Sequence, residues 1–247
     1  MVPLLAALAC ALAPGTLEGS GAPAARTSLH LEAAGRETRI GVFRPAAPPI
    51  GLVVIAHGFS RSGERHADLA QALAAAGFLV AVPDLPYFAD HGANGVAIRD
   101  IAHAVARVTA DAPADLPIVL VGFSAGGLAS LLAAGEVAGL AGWIGLDPVD
   151  LRGQGEAAAQ SLGVPAMVIR APPSSCNANG NGARIVAALP ETQSEDLVVD
   201  EASHCDFEDP GTLACVVACG PDDRERRTGI RRAVVSAALA MVRAPRP

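Results

Sequence analysis

Apolar runs alternate with amphipathic stretches along this chain. Leu52–Ala56, Phe78–Val82, Leu116–Val121, Leu140–Leu146 and Val164–Ile169 are short and almost wholly apolar. That is the pattern of strands buried on both faces of a parallel sheet. Between them, apolar residues recur at helical spacing over 64–76, which closes at Gly77. The same spacing holds over 95–110, where Ile98, Ile101, Ala102, Val105 and Val108 share one face. Gly127–Ala134 and 181–189 also read as helices. Thr27–Ala33 and Thr38–Arg44 alternate instead, which predicts two strands joined by a turn at Gly35. Leu197–Val199 reads as a last strand and 228–242 as a closing helix. Strands alternating with helices predict an α/β fold with a mostly parallel central sheet and helices on both faces. Ligands of such sheets bind at the carboxyl ends of the strands, so the chemistry is sought just after each strand.

Composition narrows the picture. The 247 residues are 51% hydrophobic but only 3% aromatic, so the core is built mainly of Ala, Val and Leu. This length fits one domain, assigned to 26–247. The net charge is −7 and all 18 basic residues are arginine, which leaves no basic footprint for nucleic acid. Met1–Ala13 is apolar and is followed by small residues, as in a secretory signal. It is too short to span a bilayer. Residues 1–25 are therefore set apart as a signal and flexible lead, and the protein is expected to be secreted or periplasmic. Cys10 falls in that segment. Cys176, Cys205, Cys215 and Cys219 remain, and they predict two disulfides with three pairings open. Cys215-x3-Cys219 lacks the paired spacing of a zinc ribbon, so no metal is expected.

Gly122-Phe123-Ser124-Ala125-Gly126 lies between a predicted strand and a predicted helix. A G-x-S-x-G in that setting is the nucleophile elbow of α/β-hydrolases, which presents the serine hydroxyl at the end of a strand. His57-Gly58-Phe59-Ser60 follows the strand ending at Ala56. The backbone N–H groups of Phe59 and Ala125 are the expected oxyanion hole. His57 reads as scaffolding of that loop. Asp147 follows the strand ending at Leu146, and His204 follows the last strand. Ser124, Asp147 and His204 thus stand in the hydrolase order of nucleophile, acid and base. A serine hydroxyl needs an imidazole to take its proton, and the imidazole needs a carboxylate to set its tautomer. No carboxylate follows Ile169, which leaves the acid role to Asp147, with Asp150 as runner-up. Phe59 and Phe123 are expected to line the substrate pocket. His30, His66, His91 and His103 are read as surface or packing residues and Trp143 as core.

His57-Gly58-Phe59, Gly77–Asp84, Gly122–Gly127, Leu146–Val149 and His204–Asp209 together resemble the chlorophyllase branch of the α/β-hydrolases, which neighbours polyester hydrolases and dienelactone-hydrolase-like enzymes. The resemblance covers roughly 40–210. It implies cleavage of carboxylic esters without a cofactor, with the Asp of Asp147-Pro148-Val149 as triad acid. The cysteines and the loop Ser174–Gly182 depart from it.

The expectation is therefore a serine esterase that passes through an acyl-enzyme. It would act on a small-molecule or polymeric ester and need no cofactor or metal. Rival readings are a catalytically silent binding protein of the same fold and an acyltransferase or amidase on the same triad. Only 16 residues separate Asp147 from the strand at Val164, too few for a helical cap, so no lid domain is expected.

Overall fold

The computed structural model describes residues 24–108, 115–209 and 211–244; the apolar segment with Cys10 and the side chain of Val108 lie outside the described residues. Eight strands form one sheet in the order β1-β2-β4-β3-β5-β6-β7-β8. They are β1 Ala25–Ala33, β2 Arg36–Arg44, β3 Gly51–Ala56, β4 Phe78–Pro83, β5 Ile118–Phe123, β6 Leu140–Leu146, β7 Ala166–Arg170 and β8 Ser194–Val198. β1 and β2 form an antiparallel hairpin, and β2 joins β4 antiparallel. All other pairings are parallel.

The helices are α1 Ala67–Ala75, α2 His91–Val108, α3 Ala125–Ala134, α4 Gln154–Gln160, α5 Ala183–Ala188, α6 Leu213–Cys219 and α7 Arg224–Arg243. Alternate residues of each central strand serve opposite faces. Leu52 and Val54 of β3 meet Ile98 and Ile101 of α2 on one side. Val53 and Ile55 belong with Leu73 of α1 and Val234 of α7 on the other. Both faces need apolar cover, which is why these strands read as unbroken apolar runs.

Several elements differ from the sequence expectation. The predicted helix 64–76 is a 3-10 turn over Gly63–His66 followed by α1. α2 begins at His91 rather than 95, with Ala93 N donating to Asp90 Oδ1 at 2.9 Å. α7 begins four residues before the expected 228, capped by Asp223, whose side chain accepts from Arg226 N. α6 has no helical periodicity to read, since Leu213–Cys219 is apolar at every position, although Cys215 is buried and Leu213 and Val217 are 79% exposed.

The chain leaves β3 toward β4 on one side and reaches β5 on the other. The crevice at this reversal is where ligands of open α/β sheets bind. The loops after β3 and β5 frame it, and they carry Phe59 and Ser124.

Candidate active site

Ser124 sits at φ 54° and ψ −121°, between β5 and α3. A side chain is rarely held there, and the cost is of order 1–3 kcal/mol. Backbone bonds fix it: Ser124 N donates to Leu146 O at 3.0 Å, and Ser124 O accepts from Gly127 N and Val149 N. The flanking glycines are steric necessities. A Cβ on Gly126 would run into the carbonyl oxygens of Ala56 and His57, and one on Gly122 into Ser130 Oγ and Gly126 O.

His204 opens a short 3-10 turn, His204–Phe207, beyond β8. Its Nδ1 lies 2.6 Å from Asp147 Oδ2. Both residues are buried, at 7% and 2% exposure. Asp147 Oδ1 accepts from Ala171 N at 3.1 Å, and Asn177 Nδ2 lies 3.3 Å from each carboxylate oxygen. Asn177 is itself fixed, its Oδ1 accepting from Ser174 N and Gly180 N at 2.8 Å. Nothing in the sequence reading marked Asn177; an asparagine in a Gly- and Asn-rich loop reads as an ordinary turn residue. Asp150 does not join this group. Its carboxylate accepts from Gly155 N and Glu156 N and so caps α4.

The His204 turn is anchored from behind. Asp206 accepts from Ser203 N, Asp223 N and Arg226 Nε, which ties the turn to the start of α7. Asp209 pairs with Arg231 at 2.5 Å. Glu208 is fully buried and pairs with Arg61 at 2.7 Å. Burial outweighs the attraction of Arg61 and holds the Glu208 carboxyl above its ordinary pKa. Two disulfides brace the same region: Cys205–Cys215 beside His204, and Cys176–Cys219 beside Asn177.

A small cleft open to solvent lies next to the elbow. Phe59, Arg61, Tyr87, Phe88, His91 and Ala125 are among the residues that border it. The rings of Phe59 and Phe88 are tilted against each other at 55° with centroids 4.4 Å apart, and both are exposed.

The profile of a family described as serine aminopeptidase, S33, matches residues 47–149. No curated protein matches the sequence. Among solved structures, a dienelactone hydrolase from Anabaena variabilis superposes with a TM-score of 0.71 at 16% identity, over 89% of this chain and 99% of that one. A carboxyl esterase from Bacillus coagulans gives 0.61 at 14% identity, over 88% and 99%. The esterase domain of a Rhodothermus marinus protein gives 0.66 at 17%, over 88% and 100%. The chain has the α/β-hydrolase fold.

Within this fold, the sequence-predicted residues separate by place. Asp147 and His204 meet directly, and Phe59 and Ala125 border the cleft. Phe123 does not. It is 2% exposed and lies beneath His204, with ring centroids 4.6 Å apart. A residue in the x position of the elbow can face either way, and here its ring is drawn into the core. His57 has both ring nitrogens engaged, Nδ1 with Gly58 O and Nε2 accepting from Leu85 N at 2.8 Å. Burial lowers its pKa, which keeps the ring neutral. His66 is wholly buried against the edge of Phe123, and burial lowers its pKa to about 3. Trp143 is core, donating to Ser130 Oγ at 2.9 Å. Phe88, Arg61 and Glu208 were not singled out from sequence, since nothing local marks them as neighbours of the site.

Proposed function

We propose that this protein hydrolyses carboxylic esters through a Ser124-His204-Asp147 triad and a covalent acyl-enzyme. The observation that carries the reading is the buried 2.6 Å contact between His204 Nδ1 and Asp147 Oδ2, taken together with a serine held in the strained elbow conformation. Asp147 fixes the tautomer with Nδ1–H, which leaves Nε2 free to accept the serine proton. Ser124 Oγ attacks the ester carbonyl as its proton passes to His204. The N–H groups of Phe59 and Ala125 donate to the resulting oxyanion. Such donors are typically worth ~3 kcal/mol each. His204 then protonates the leaving alcohol, and a water deprotonated by His204 releases the acid.

Neither Ser124 nor His204 is among the residues bordering the cleft, whereas Phe59 and Ala125 are. The cleft thus lies beside the proposed oxyanion hole and takes the acyl group against Phe59 and Phe88. Two cysteine pairs at bonding distance favour an oxidising compartment, in keeping with export.

Reaction with a fluorophosphonate probe tests the reading. Wild type should be labelled at Ser124 and lose esterase activity in proportion. Ser124→Ala should take no label and lose several powers of ten in kcat. A variant keeping a tenth of wild-type turnover would assign the nucleophile elsewhere, and an unlabelled, inactive wild type would favour the silent binding protein.

A further inference from the structure

The Sγ atoms of Cys205, Cys215 and Cys219 lie within 4.8 Å of one another. Two of them form the inner bridge, Cys205–Cys215, and the third belongs to the outer bridge, Cys176–Cys219. The inner pair is sealed, with Cys205 0% and Cys215 1% exposed. Cys176 and Cys219 are only half-buried. A reductant in solvent therefore meets the outer bond first. Once freed, Cys219 stands against the inner bond, and thiolate attack on a neighbouring disulfide sulfur is how such bonds exchange.

We propose that Cys219 is an exchange nucleophile that carries reduction from the surface to the bridge beside His204. In the first step a dithiol, small or protein-borne, attacks Cys176 Sγ and expels Cys219 as a thiolate. The second thiol of the reductant then closes its own disulfide and releases Cys176 as a thiol. Two electrons pass from the dithiol to the outer bond. In the second step the Cys219 thiolate attacks one sulfur of the inner bond, joining Cys219 to Cys205 or Cys215. The other cysteine leaves as a thiolate and takes a proton from water, with no further electron change. Either product breaks the Cys205–Cys215 bond: attack on Cys215 leaves Cys205, the neighbour of His204, as a free thiol, and attack on Cys205 ties it to Cys219 instead. Loss of the outer bond at the same time frees Cys176, the neighbour of Asn177, which holds Asp147. The effect on turnover rests on the esterase reading above; the sulfur exchange does not.

Three variants separate the steps. Cys176→Ser leaves the Cys219 thiol beside an intact inner bond. Cys176→Ser/Cys219→Ser removes the attacking sulfur. Cys219→Ser leaves only Cys176, which is outside the cluster. Each protein, purified oxidised, is held at pH 8.5, quenched in acid, alkylated and peptide-mapped without reduction. Cys176→Ser should contain molecules linked Cys219–Cys205 or Cys219–Cys215. The other two should keep Cys205–Cys215 alone. A folded Cys176→Ser protein in which Cys219 is found only as alkylated thiol overturns the proposal. Should Cys176→Ser fail to fold, wild type treated with limiting dithiothreitol serves instead. Crossed bonds accompanied by alkylated Cys176 support the proposal, and passage to four thiols without them overturns it. In the same samples, turnover of p-nitrophenyl butyrate should be at least fivefold lower in Cys176→Ser than in the double variant. Equal turnover in the presence of crossed bonds overturns the link to the site. A wild type with no turnover of any ester defeats the esterase reading, while the peptide map still decides the exchange.

Discussion

At the scale of single residues, the two aspartates after β6 have different work. Asp147 contacts His204, while Asp150 caps α4. Asp147→Asn should lower kcat by about 10⁴-fold, because the amide favours the wrong imidazole tautomer. Asp150→Asn should leave kcat within a few-fold and cost about 1 kcal/mol of stability as a weakened cap. Steady-state kinetics and urea unfolding of both variants check this, and the opposite ranking would move the acid to Asp150. His66 makes a separate prediction about acid stability. Its buried ring has a pKa lowered to about 3 from 6.5. Below pH 6.5 the unfolded chain therefore binds a proton that the folded chain refuses. Stability should fall by about 1.4 kcal/mol per pH unit from this group as pH drops from 6.5 toward 3. His66→Leu should remove that share of the slope in urea unfolding between pH 6 and 4, and an unchanged slope would show that His66 is protonated in the fold.

At the scale of elements, the His204 turn is held more by its neighbours than by itself. It is four residues long and draws its rigidity from Asp206, Glu208 and the inner disulfide. Asp206 joins it to the first turn of α7 through a carboxylate that is fully buried on its side-chain atoms. Charge-assisted bonds of this kind are typically worth ~1.5–3 kcal/mol each. Asp206→Asn should lower unfolding free energy by about 2–4 kcal/mol and kcat by at least tenfold, with KM little changed, since His204 loses its footing while the cleft stays intact. A variant that loses stability but keeps full kcat would show that the turn is set by the disulfide alone.

At the scale of the molecule, the connections at the carboxyl edge of the sheet are short. The β6–β7 connection carries only α4, and the one from β8 to α7 carries the His204 turn and α6. No helical cap crosses the cleft among the described residues. No helix among them is long and apolar enough to cross a membrane. An uncapped site has no closed state for an oil–water interface to open. Hydrolysis of p-nitrophenyl butyrate should follow ordinary saturation across the ester's solubility limit. A sharp rise in rate once an emulsion forms would refute the uncapped reading.

The strands, the elbow and the order Ser124, Asp147, His204 were legible in the sequence because each rests on local rules. A strand covered on both faces must be apolar throughout, and a strained turn between strand and helix needs glycine on both sides of its serine. The missing carboxylate after Ile169 pointed to the loop after β6 and to Asp147 ahead of Asp150, but only the fold brings His204 to one and the amides of α4 to the other. The disulfide pairing, the support from Asn177, the Arg61–Glu208 pair and the joining of Phe59 with Phe88 were decided by tertiary structure. These contacts join residues from separate loops, whose positions are set by the twist and order of the sheet that carries them. Phe123 makes the same point in reverse: its place in the motif suggested a pocket wall, yet burial of its ring beneath His204 follows from packing that no local pattern encodes.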